Sequence, residues 1–355
     1  MKRIIFASIL STATLHCGAQ DFDTFFCDST IRIDYDFSGT STQQHIAVDA
    51  VYKSNHWYGR RQHHSELPVQ ANVTLELRNN RREVSATLTH QLAPRDILIR
   101  RIGDGNQTPF VVMQQPDDPR HCIHIAYLAE GYRKEEMPKF LADVRKAMGA
   151  LFAHEPFKSM QGKFSIVAVE SPSSDSGTSE PSKGIWKQTA LGSHFDTFYS
   201  DRYLTTPNIR RMHDWLAGIP YEHIIALVNT DRYGGGGIYG EYLLATINNK
   251  YSEEVVVHEF GHSFCGLADE YAYDDEEVAM YPKDVEPWER NITTRVDFRG
   301  KWENIPDAGF FEGAGYTLHG VYRAYPDCRM RSNKIPSFCK ACQKAITDYI
   351  RFFTE

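Results

Sequence analysis

The chain has 355 residues, enough for two ordinary domains, and its 41% hydrophobic and 24% charged content excludes a disordered or fibrous protein. A formal net charge of −7 with no basic stripe argues against nucleic acid as a partner. The one long apolar run, Ile4 to Leu15, is too short to span a bilayer, so no transmembrane segment is expected.

That run reads as part of an export signal. Lys2 and Arg3 precede it, and Cys17-Gly18-Ala19 supplies small residues for cleavage after Ala19. Residues 1–19 are therefore expected to be a signal peptide, and the mature chain to be secreted, periplasmic or held at the cell surface. A lipoprotein anchored at Cys17 is a second reading, which Thr14 and His16 fit poorly. Cleavage leaves Cys27, Cys122, Cys265, Cys328, Cys339 and Cys342 in a compartment that permits disulfides. Cys328 is expected to pair with Cys339 or Cys342, its near neighbours in sequence. The Cys339-Lys340-Ala341-Cys342 spacing could instead be half of a zinc knuckle, although no convincing second CxxC is present.

Residues 20–115 read as all-β. Ile31, Ile33, Tyr35 and Phe37 alternate with polar neighbours, as do Val73, Leu75 and Leu77, and Val84, Ala86 and Leu88. This predicts an N-terminal antiparallel β-sandwich, with Asn79-Asn80 as a hairpin tip. The run from His56 to His64, rich in His, Arg and aromatics, reads first as a surface loop and second as a ligand site. Gln115-Pro116-Asp117-Asp118-Pro119 marks a linker, and residues 116–355 form the second domain.

From His121 the pattern becomes α/β. Strands are predicted at 121–128, 164–169, 224–228 and 238–247, with a helix over 133–152, which implies a mostly parallel sheet. The turn-rich stretch from Ser171 to Tyr203 is anchored by aromatics and is expected to form a wall of a cleft, with His194 as an outside candidate for a metal or substrate contact. Gly234-Gly235-Gly236-Gly237 is no phosphate loop, since no Gly-Lys-Ser/Thr follows; the plain reading is a flexible loop. The acidic run Asp274 to Glu277 reads as solvated surface, with calcium as the alternative. A C-terminal helix over 340–353 docks through Ile346, Tyr349 and Ile350.

The chemistry concentrates in EVVVHEFGHSFCGLADEY, residues 254–271. His258 and His262 are four apart and share one helix face, so both can point at one metal ion. Imidazole and carboxylate ligands in an open tetrahedral site suit zinc. Glu259 follows the first histidine, where its carboxylate can reach a zinc-activated water as general base and then acid. Gly266 ends the helix in a left-handed conformation and turns the chain so that Asp269 returns as third ligand. Glu270 and His319 are the alternatives.

The stretch His258 to Tyr271 resembles the signature of the bacterial metallopeptidase family named for an immunoglobulin A endopeptidase, itself similar to the metzincins. This chain has one extra residue between His262 and Gly266 relative to the metzincin HExxHxxGxxH/D pattern. The resemblance implies an α+β, multidomain protein: the N-terminal sandwich followed by a metzincin-like α/β zinc peptidase domain. It also implies a strand before the metal helix that an extended peptide joins edge-on. It further implies a methionine turn at Met330 beneath the zinc, and an oxyanion-holding tyrosine, for which Tyr322 and Tyr325 are candidates. The expected protein is an exported zinc endopeptidase with one zinc per chain held by His258, His262 and Asp269, acting on an extended peptide or glycoprotein. A metal-dependent hydrolase of non-peptide substrates, such as a glycan deacetylase, and a non-catalytic surface adhesin are the competing functions.

Overall fold

The computed structural model describes residues 22–25, 28–39, 44–63, 76–78, 84–87, 97–103, 105, 107–273, 281–297 and 300–355. The signal segment, Cys17, Cys27, His64, Val73, Leu75, Asn79-Asn80, Leu88 and the acidic run 274–277 lie outside these residues.

The N-terminal part opens with a short helix α1 (Phe22–Phe25) and strands β1 (Thr30–Gly39), β2 (Gln44–Ser54), β3 (Glu76–Arg78), β4 (Val84–Thr87) and β5 (Arg100–Arg101). β1 pairs antiparallel with β2, and β3 with β4, as the period-two patterns predict. β5 departs from that expectation by joining β2 in parallel, giving a three-stranded sheet β1-β2-β5 beside the two-stranded β3-β4.

The remaining chain adds β6 (Phe110–Gln114), β7 (Ile123–Glu130), α2 (Met137–Leu151), β8 (Phe164–Val169), α3 (Ile209–Trp215), β9 (His223–Val228), β10 (Gly235–Ile238), β11 (Tyr242–Thr246) and α4 (Ser252–Cys265). It ends in β12 (Ile292–Thr293), β13 (Phe311–Ala314), β14 (Thr317–Arg323) and α5 (Lys340–Thr354). A six-stranded sheet in the order β10-β11-β9-β7-β8-β6 is its frame. β11, β9, β7 and β8 run parallel, and β6 and β10 close the two edges antiparallel. β9 is buried along its whole length and β7 nearly so, because side chains cover both faces of a parallel sheet. One face packs α2, α4 and α5 around Phe157, Phe260 and Phe264; the other packs α3 around Phe195, Leu204 and Met212. A separate small sheet, β12-β14-β13, follows the main one.

Two boundaries differ from the sequence reading. β6 lies ahead of the expected boundary at residue 115, yet it hydrogen-bonds to β8 as an edge of the central sheet. The predicted strand over 238–247 is two strands, β10 and β11, and the glycine run supplies most of β10 instead of a flexible loop.

The segment 171–208 is ordered, as expected of a cleft wall, and a buried carboxylate holds it. Glu130, at the end of β7, accepts hydrogen bonds from Thr189 Oγ1 at 2.5 Å, Leu191 N at 2.7 Å and Ser193 N at 2.8 Å. Such satisfied burial pins a connection that lacks a sheet of its own.

Two histidines, His223 buried and His213 half-buried, are expected to make stability pH-dependent. His223 is enclosed by Phe260, Phe264 and Tyr349, its Nε2 lacks a hydrogen-bond partner, and burial pushes its pKa down to about 3. Burial, reinforced by the Arg32 charge, lowers His213 on α3 to about 4. The unfolded chain binds protons at both sites below its ordinary histidine pKa, whereas the folded chain does not. Their contribution is therefore complete above that pKa and is lost as pH falls through it toward the folded values. The denaturation midpoint is expected to drop between about pH 6.5 and 5, before carboxylates titrate. His223→Phe should flatten that slope in the same urea titrations; an unchanged slope would dismiss His223 as its source.

Candidate metal centre and active-site cleft

Helix α4 carries Glu253 and Glu254 in its first turn, where the helix dipole favours them. It ends at Gly266, which takes φ 67° and ψ 41°, as the sequence predicts. The Gly266 and Leu267 amides donate back to His262 O and Gly261 O at 3.0 and 3.1 Å, which caps the helix and reverses the chain toward Asp269.

His258 and His262 stand one turn apart with ring centroids separated by 4.8 Å. Each ring is aimed by a backbone carbonyl: His258 Nδ1 donates to Arg329 O at 3.1 Å and His262 Nδ1 to Leu267 O at 2.5 Å. A carbonyl only accepts, so each Nδ1 carries a proton and a neutral ring presents a bare Nε2. The two Nε2 atoms are 3.1 Å apart. Asp269 Oδ1 lies 3.0 Å from His258 Nε2 and 3.3 Å from His262 Nε2. That oxygen is buried and has no hydrogen-bond partner in the network. Three electron-pair donors converging at this range repel unless a cation or proton sits among them.

The electrostatics agree. Burial would lower His262, but the Asp269 carboxylate outweighs it and raises the ring to about 9. Burial would raise Asp269, but the positive charge of the two histidine rings facing it, His262 first, holds it well below the ordinary carboxylate range. Tyr316 donates its hydroxyl to Asp269 Oδ2, fixing the carboxylate from behind. Burial raises Glu259, with the two histidines partly opposing.

Met330 is fully buried under this helix. A Cβ on Gly261 would meet its Sδ at 2.7 Å, so the glycine lets the thioether approach the turn between the histidines. A cleft of about 280 Å³ opens over His258 and Glu259, walled by Arg202, Tyr203, Tyr233, Tyr271 and Tyr273 among others. Arg202 donates to the Tyr273 hydroxyl and lies 5.6 Å from the Tyr203 ring centroid. The floor opposite is β10. A Cβ on Gly235 would lie 2.8 Å from Val255 Cγ1 and 3.0 Å from Glu259 Cγ, so the strand packs directly on α4 only because Gly235 and Gly237 carry no side chain.

Other sequence candidates sit elsewhere. Glu270 faces away from the histidines into a buried cysteine cluster. His319 is exposed, 3.6 Å from Glu312. His194 bonds Phe195 O at 2.8 Å and is absent from the cleft lining. Tyr322 donates to Glu312 and Tyr325 to Pro306 O, so neither expected oxyanion tyrosine reaches the centre. Tyr316 was invisible to sequence reasoning because its approach depends on the β13–β14 turn. The glycine run did carry a signal, since consecutive glycines ahead of a catalytic-type helix indicate close backbone approach.

The IgA Peptidase M64 family model matches residues 111–309 and 303–350, and the Peptidase M64 N-terminus model matches residues 21–85. The chain belongs to the IgA peptidase M64 family. No curated protein matches it. The M64 match begins inside β6, consistent with that strand's place in the central sheet, and takes in α4, Asp269 and Met330. Family membership makes a peptidase of this chain and a protein its class of substrate. Among the described residues no helix is long and apolar enough to cross a membrane.

Proposed function

We propose that this M64 peptidase is an exported, zinc-dependent endopeptidase with a metzincin-like catalytic half. The convergence of His258 Nε2, His262 Nε2 and the orphaned Asp269 Oδ1 carries the reading, because this donor set needs a cation and suits zinc. When bound, zinc supplies Lewis-acid polarisation of the scissile carbonyl and makes water acidic near neutral pH.

The chain's own residues do the rest. Glu259, lining the cleft beside His258, accepts a proton from the attacking water and passes it to the leaving amine nitrogen. Its raised pKa suits it to hold that proton between the two steps. An extended peptide adds to the free part of the β10 edge, beyond Gly235, whose carbonyl already accepts from Leu204 N at 3.2 Å. Arg202 supplies positive charge to the cleft wall, where backbone carbonyls or an acidic side chain of the substrate would lie.

The test is cleavage-site mapping on a proteome-derived peptide library, with chelator and after zinc restoration, beside acetylated sugars. Peptide cleavage that chelator stops and zinc restores is expected. Turnover of sugars alone would replace the reading with a deacetylase. Tyr316→Phe removes the bond that steadies Asp269, and zinc affinity measured against a competing chelator is expected to fall about 10- to 100-fold. Unchanged affinity would mean that Asp269 needs no such support.

A further inference from the structure

On the far side of the loop that presents Asp269, the next residue enters a second cluster. Glu270, Cys328, Cys339 and Cys342 are all buried, and each offers a ligand atom within 4.8 Å of the others. They come from three places in the chain. Glu270 is tied to the Met330 segment by its amide, which donates to Met330 O at 2.9 Å. Cys328 leads into that segment, and Cys339 and Cys342 lie at the cap and in the first turn of α5.

The contacts inside the cluster are those of unmet ligands. Cys328 Sγ and Cys342 Sγ are 3.6 Å apart, far beyond the ~2.05 Å of a disulfide, and all three cysteines are free. The pairing expected from sequence is thus not formed, and an odd number of sulfurs would leave one unpaired in any case. Cys339 N donates to Cys328 Sγ at 3.2 Å, and Cys342 Sγ to Glu270 Oε1 at 3.2 Å. Asn291 Nδ2 also donates to Glu270 Oε1, at 2.9 Å. Glu270 Oε2 is buried with no partner, although the residue has no exposed surface. A carboxylate with an orphaned oxygen against three thiols is costly in an apolar interior.

We propose that Glu270, Cys328, Cys339 and Cys342 form a second, closed metal site that binds a zinc(II)-class ion in tetrahedral three-sulfur, one-oxygen coordination. Thiolate-rich four-ligand sets select zinc over harder cations, and full burial leaves no position for substrate. Binding releases the thiol protons to solvent, and no oxidant or reductant is needed. The CxxC spacing, half of a knuckle by sequence, finds its other half in Cys328 and Glu270. The ion would clamp the loop bearing Asp269 to the segment bearing Arg329 and Met330 and to α5. It would brace the first centre from behind without touching a substrate.

The test uses the full chain carrying His258→Ala and His262→Ala together, which removes the first centre and leaves the cluster intact. Elemental analysis of zinc-grown protein is expected to find about two zinc per wild-type chain and about one in the double variant. Cobalt substitution of that variant should give sulfur-to-cobalt charge-transfer absorption, and Cys342→Ser should abolish it. Should Cys342→Ser fail to fold, the double variant decides alone. A double variant with less than about 0.2 zinc per chain overturns the proposal, as does metal without the sulfur band. So does a Cys328 disulfide to Cys339 or Cys342 in non-reducing peptide maps. None of these readouts requires peptide hydrolysis, so failure of the proposed catalysis and failure of this site remain distinguishable.

Discussion

Replacing Glu259 by alanine is expected to lower peptide hydrolysis by about 10²- to 10⁴-fold while leaving zinc content unchanged. Glu259 follows His258 on α4, so its side chain leaves the shared histidine face by about 100°. Its Cγ and Oε1 come within 3.0 and 3.1 Å of where a Gly235 Cβ would stand, which places the carboxylate in the cleft and toward β10. In the proposed mechanism a group so placed acts on a water proton and is not one of the three donors that would hold the ion. His262→Ala and Asp269→Ala should behave differently, losing zinc and activity together, because each removes one of the three converging donors. Zinc content and hydrolysis measured on the same preparations separate the two classes. Near-normal turnover in Glu259→Ala would remove the general-base role, and undiminished zinc affinity in Asp269→Ala would move the third ligand elsewhere.

The glycine strand should be nearly as sensitive, for a steric reason. A Cβ on Gly237 would come to 2.4 Å from Glu259 O, 3.2 Å from Glu259 C and 3.1 Å from His262 Cβ. The nearest of these is helix backbone, which has no rotamer by which to retreat. Gly237→Ala therefore forces β10 off α4 or tilts the helix that carries His258 and His262. Overpacking of this kind typically destabilises by about 1–3 kcal/mol. A shift near 1 Å at the reacting groups costs about 10²-fold in rate, so kcat/KM should fall further than stability alone explains. Gly149→Ala is the control, since a Cβ there, within α2, meets nothing within 4 Å. It should keep full activity and a melting temperature equal to or above wild type. A Gly237→Ala enzyme that melts and turns over like wild type would show that the strand does not pack on the helix as described.

What the sequence determined by itself is what local geometry dictates. The four-residue spacing of His258 and His262 places them on one helix face in any fold that keeps the helix, and Gly266 ends that helix because a left-handed residue is needed there. The apolar runs over 121–128 and 224–228, alternating with a helical pattern, announced strands of a mostly parallel sheet, which the structure places at 123–130 and 223–228, buried on both faces. Tertiary structure decided whatever depends on which way a side chain faces once distant segments pack. Asp269 and Glu270 are adjacent carboxylates, and in extended chain adjacent side chains point to opposite sides. The bond from Glu270 N to Met330 O sets which side is which, turning Asp269 to the histidines and Glu270 to the cysteines. Tyr316 reaches Asp269 through the β13–β14 turn, forty-seven residues along the chain. The glycine run became an edge strand because α4 lies too close for any side chain between them. Spacing along a helix is fixed by 3.6 residues per turn, whereas contacts across such separations are set by the packing of the whole core.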